Sequence, residues 1–121
     1  MHRAGIPLLV GSDSLDPFVF PGDSLHRELA EFVQAGYTPL EVIQAATQGA
    51  AKFVGRENEL GTVEQGKTAD LILLDANPLE NISNTRKILA VIRNGQYLNR
   101  AALDALLAKA RSAAAAMPAE K

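Results

Sequence analysis

The chain carries an apolar run from Ile6 to Val10 that is continuous rather than alternating and is stopped by Gly11, Ser12 and Asp13. A short run of this kind, bounded by glycine, predicts a strand buried on both faces, as in a parallel sheet. After a loop punctuated by proline and glycine ("LDPFVFPGD"), Leu25, Leu29, Phe32 and Val33 recur at helical spacing. Asp23 or Ser24 is the expected cap, and Gly36 closes the helix. "TPLE" then places Thr38 as a cap, Pro39 at the first helical position and Glu41 where its carboxylate reaches back, the pattern of a capping box. The helix that starts at Pro39 is expected to bury Leu40, Ile43 and Ala46. A further helical turn through Ala50, Phe53 and Val54 ends at Gly55.

From Gly61 the pattern becomes β-rich. "ADLILLDA", Ala69 to Ala76, predicts a strand stopped by Asn77-Pro78. Ile88 to Arg93 meets Asn94-Gly95 and then Gln96, Tyr97 and Leu98, and Asn-Gly between apolar segments predicts a hairpin. Beyond Asn99, the expected cap, Leu103, Leu106, Leu107 and Ala110 lie at helical spacing. The alanine-rich end and "MPAEK" are expected to fray. The elements together predict an α+β chain.

The 121 residues fit one domain with a modest core, and 47% apolar content is ordinary for a globular protein. Twelve basic residues against fourteen acidic ones, a net charge of -2, leave no electrostatic footprint for nucleic acid or an acidic membrane. With no cysteine there are neither disulfides nor thiolate metal ligands. The opening apolar run is too short to span a bilayer and lacks a signal-cleavage pattern, so the expected location is the cytoplasm.

Candidate chemistry is sparse. Asp13 ends a predicted strand, where a carboxylate could ligate a cation or take a proton from metal-bound water. "SDS" is equally good turn chemistry, in which the aspartate only bonds nearby amides, and the residues alone favour that alternative. Two histidines, His2 and His26, fall short of the three ligands usual at a catalytic zinc. His2 is expected to be solvated, and His26, beside an apolar helical stripe, to pack or cap. Asp70 and Asp75 bracket a buried strand and read as structural. Arg56, Glu57, Glu59, Glu80, Arg86 and Lys87 read as solvated charges. The starting residues of nucleophile-elbow, nucleotide-loop, zincin and dinucleotide sites are missing.

In order, "GIPLLVGSDS", "SLHRELAEFVQAGYTPLEVIQAATQGAAKFVG", "ELGTVEQGKTADLILLDANPLENI" and "VIRNGQYL" make the chain similar to the C-terminal part of the metal-dependent amidohydrolase superfamily, nearest its imidazolonepropionase-like and prolidase-like members, from about Arg3 to Leu98. The resemblance implies residues 1–58 as the last strand and following helices of a (β/α)8 barrel. It implies 59–99 as part of a flanking β-sandwich, with 100–121 a C-terminal helix and tail. It also implies hydrolysis of carbon–nitrogen bonds (amide, cyclic amide or dipeptide) by metal-activated water. Asp13 matches the aspartate that in this family ligates metal and acts as general base, which reverses the preference for a turn residue. His26 matches no metal-binding position, and Asp70 stays structural.

A full barrel takes about 250 residues, so the resemblance covers only its end, and the histidines and other ligands of the earlier strands have no counterparts here. One aspartate does not hold a catalytic zinc, so the chain alone is expected to be inactive and without bound metal. It would complete its site with an N-terminal barrel chain. The alternative is a free-standing module for self-association or partner binding. In either case an opening strand without neighbours predicts a homo-oligomer or swapped dimer.

Overall fold

The capping box forms as the sequence predicts and starts a helix at Pro39. The computed structural model describes residues 7–13 and 19–116. Thr38 Oγ1 accepts a hydrogen bond from the Glu41 amide at 3.3 Å, and Glu41 Oε2 accepts one from the Thr38 amide at 2.7 Å. Helix α2, Pro39–Gln44, starts there, passes through a π-helical turn at Ala45–Gly49 and continues as α3, Ala50–Phe53. Helix α1, Asp23–Gln34, precedes it. Its cap is Gly22, with neither Asp23 nor Ser24 in that place; Ser24 Oγ instead accepts from the Phe20 amide at 2.8 Å and ties the incoming loop to the first turn.

Buried Leu29 of α1, Val42 of α2 and Ile82 of the 3-10 turn Ile82–Arg86 form the core, with Leu8, Val10, Phe32, Val33, Tyr37 and Ile43 packed around them. Phe32 and Tyr37 meet edge to face, 6.0 Å between ring centres. The expected α2 stripe is corrected: Leu40 is 50% exposed, whereas Val42 and Ala45 are buried. Apolar residues at 40, 42, 43, 45 and 46 allow two helical phases, and packing against Leu29 and Ile82 selects the second. Phe53 and Val54 close the further helical turn that the sequence predicts, and both are exposed.

The opening run also departs from the expected strand. Its described part, residues 7–10, forms no strand, and Leu9 is 42% exposed while Leu8 and Val10 lean on the core. A strand buried on both faces needs hydrogen-bonded neighbours, and among the described residues none is offered to this segment. Ile6, His2 and the final "MPAEK" lie outside the described residues.

Strands β1 (Leu71–Leu74), β2 (Ile88–Arg93) and β3 (Gln96–Leu98) form an antiparallel sheet with β2 central. Leu71 faces Ile92, Ile72 faces Val91 and Leu73 faces Ala90, with a bulge before the Leu74–Ile88 pair. Asn94 and Gly95 both have positive φ, +48° and +77°, as a two-residue turn matched to strand twist requires. Asp70 Oδ1 accepts from the Asn94 amide at 2.6 Å and the Gly95 amide donates to Ala69 O, so the hairpin tip is pinned to the start of β1. Asp70 is structural, as expected. Helix α4, Arg100–Ala115, is capped by Asn99, whose Oδ1 accepts from the Ala102 amide, and packs on β2 and β3. None of its residues is buried; Leu106 and Leu107 are half exposed. No described helix is long and apolar enough to cross a membrane.

Candidate functional site

Asp13 ends the segment that leans on the core through Leu8 and Val10, and it is exposed. Its φ is +43°, left-handed backbone that aspartate tolerates better than most residues but that still costs about 1 kcal/mol or more. Two residues earlier the Gly11 amide donates to Glu28 Oε1 of α1 at 2.9 Å. The other carboxylate oxygen, Glu28 Oε2, is buried and accepts no hydrogen bond from the described residues. Between segment and helix lies an open depression of about 310 Å³ lined by Gly11, Ser12 and Val19 and by Ser24, Arg27, Glu28 and Glu31 of α1.

The opposite side of α1 meets the 3-10 turn. Residues 26 and 28 lie about 200° apart around a helix, so His26 and Glu28 face different neighbours. His26 Nδ1 is 3.0 Å from Thr85 Oγ1. That hydroxyl spends its proton on Ile82 O at 2.8 Å, so the imidazole must donate, which places the hydrogen on Nδ1. Burial, and then the nearby Arg86 guanidinium, push the His26 pKa below its ordinary value, with Asp23 opposing. Arg86 also hydrogen-bonds Asp23, which pairs with Arg27 at 2.7 Å. The Arg86 hydrogen bond chiefly, and both guanidinium charges, hold the Asp23 carboxyl below the usual carboxylate range. Arg86, read from sequence as a solvated charge, thus joins the 3-10 turn to α1; only the fold brings the two, 63 positions apart, together.

Of the residues singled out from sequence, Asp13 stands at a segment end on a shaped turn, and His26 packs, as expected, away from the Glu28 face. Among the described residues no three His, Cys, Asp or Glu side chains converge as a metal cage requires, so these residues do not by themselves fit a catalytic metal. Asp13 amounts to one donor. Glu28 was missed, although its signal is readable: it lies three residues after Leu25 and four before Phe32, an acid on an apolar stripe.

The family model described as "Amidohydrolase family" matches residues 1–98. Ochratoxinase of Aspergillus niger is 40% identical over 82 residues, 66% of this chain and 16% of that protein. Imidazolonepropionase of Shouchella clausii is 40% identical over 78 residues, 63% of this chain and 17% of the relative. The chain therefore spans about a sixth of the length of these curated relatives. Among solved structures, molinate hydrolase superposes with a TM-score of 0.74 at 28% identity, covering 79% of this chain and 24% of that one. A Xaa-Pro dipeptidase with bound methionine in its active site superposes with a TM-score of 0.60 at 36% identity, over 62% of this chain and 18% of the other. With the family pattern running from residue 1 through the hairpin and its helices and antiparallel strands shared with these hydrolases, the chain belongs to the amidohydrolase family.

Proposed function

We propose that this chain is the C-terminal segment of a metal-dependent hydrolase of carbon–nitrogen bonds, with substrates such as amides, cyclic amides or dipeptides. In this reading residues 1–58 close a (β/α)8 barrel, 59–99 belong to its flanking sandwich and 100–121 form a terminal helix. The observation that carries it is Asp13: an exposed carboxylate on a left-handed turn at the end of the "IPLLVGSD" segment, in a chain of the amidohydrolase family. The names of the relatives, imidazolonepropionase and Xaa-Pro dipeptidase among them, support hydrolysis.

A divalent metal, zinc by our proposal, would supply Lewis acidity and an activated water in the complete enzyme. Asp13 would contribute one carboxylate and accept the water's proton; the remaining donors would come from outside this segment. The exposed apolar side chains of Phe53, Val63 and Ile72 support the same picture, because so much bare apolar surface is covered by more chain or by a second copy. The whole protein is proposed to work in the cytoplasm.

Zinc content and hydrolysis of dipeptide and amide substrates, measured for this chain alone, with a second copy, and joined to or mixed with an N-terminal barrel portion, decide the matter. Metal uptake and turnover only in the joined or mixed sample support the reading. Stoichiometric zinc and turnover by the chain alone, or neither in any combination, refute it. Light scattering tests the proposed homo-oligomer or swapped dimer, which a monomer at high concentration excludes.

A further inference from the structure

We infer that Glu28 is a positioning residue: through the Gly11 amide, its carboxylate sets the turn that presents Asp13. The inference deepens the reading of Asp13 given above and rests on it for its functional meaning, but its geometric content stands alone. Gly11 precedes Asp13 by two residues, and the only hydrogen bond described for its amide runs to Glu28 Oε1, at 2.9 Å across seventeen positions of sequence. A left-handed φ at a residue with a side chain persists only where surrounding contacts hold it, and Asp13 has φ +43°. Among the described residues, the contacts that anchor the segment running into this turn include Leu8 and Val10 against the core and the Gly11 amide on Glu28.

The position of Glu28 is as telling as its bond. Placed on the apolar stripe of α1, it leaves Oε2 buried without a donor among the described residues, an arrangement that costs free energy and is poorly explained as surface charge. A helix held on one side by Leu29 in the core is a rigid base, and a carboxylate projecting from it fixes the Gly11 amide in direction as well as distance. The carboxylate of Asp13 is thereby preorganised by a residue that itself touches no reacting group.

The test is solution NMR of the 121-residue chain, wild type, Glu28→Gln and Glu28→Ala, reading amide hydrogen exchange at Gly11 and the three-bond HN–Hα coupling that reports φ at Asp13. Wild type is expected to show a protected Gly11 amide and a left-handed Asp13. Glu28→Gln keeps an acceptor oxygen and retains both. Glu28→Ala exchanges Gly11 on the order of tenfold faster, the size of one hydrogen bond to a charged acceptor, and loses the left-handed coupling while the Asn94-Gly95 hairpin signals stay in place. Rapid exchange at Gly11 in wild type overturns the inference even if Glu28→Ala does not fold, and so does an alanine variant with both readouts unchanged. The outcome is separable from that of the functional reading: if Asp13→Asn leaves a complete hydrolase fully active, Asp13 is not catalytic, whatever the NMR reports about Glu28.

Discussion

Gly61 and Gly66 share a backbone conformation but not a surrounding, which makes them a controlled pair. Both have φ +91°, where a side chain is strained. A Cβ at Gly66 would meet nothing within 4 Å. A Cβ at Gly61 would stand 2.8 Å from Ala51 Cβ, 3.0 Å from Thr47 O and 3.1 Å from Gln48 Cα, so it would press on the π-helical turn and the start of α3. Two of those three neighbours are backbone atoms in a helix and the third is a methyl without rotamers, so none yields by a side-chain rotation. The strained φ costs about 1–2 kcal/mol for alanine in either place. Overpacking adds about 1–3 kcal/mol at Gly61 alone. Gly61→Ala is therefore expected to cost about 2–5 kcal/mol and Gly66→Ala about 1–2, a large difference against a typical total of roughly 5–15. The loss of unfolded-chain entropy on replacing glycine is common to both and cancels in the comparison. Urea unfolding of the two variants beside wild type reads the difference directly, and Ala51→Gly in the Gly61→Ala background should recover part of it by removing the 2.8 Å contact. Equal stabilities for Gly61→Ala and Gly66→Ala would refute the close approach of the 61 loop to the π turn.

Three further outcomes follow from named contacts. Asp13→Asn in a complete hydrolase should lower kcat by roughly 10²–10⁴ with unchanged unfolding, as loss of a general base does; wild-type turnover would remove Asp13 from the chemistry. Thr38→Ala breaks the bond from the Glu41 amide and should cost about 1 kcal/mol in denaturant unfolding, while an unchanged midpoint would show the box contributes nothing. His26 has a folded-state pKa below its unfolded value of 6.5, so its stabilising contribution is present above that value and falls away as pH drops through the folded-state pKa; stability measured at several pH values should decline more for wild type than for His26→Asn, and parallel curves would contradict the burial beside Arg86.

What the sequence by itself determined was local. Thr38, Pro39 and Glu41 lie within four residues and satisfy one another's backbone groups, so the capping box is decided before any tertiary contact forms. Asn94-Gly95 likewise carries its own backbone preference, and the hairpin, Asn99 cap and α4 appear where the pattern places them. The ordered motifs sufficed to indicate the amidohydrolase family. Tertiary structure decided whatever depends on partners distant along the chain. Val42 rather than Leu40 is buried because Leu29 and Ile82 meet that face of α2, a choice between two phases that periodicity leaves open. Arg86 finds Asp23 and the Gly11 amide finds Glu28 only after α1 is packed, since bonds across 63 and 17 positions have no local signature. Residues 7–10 have the composition of a strand but find no strand pairing among the described residues, because a strand is a relation between two segments and apolar content specifies only one of them.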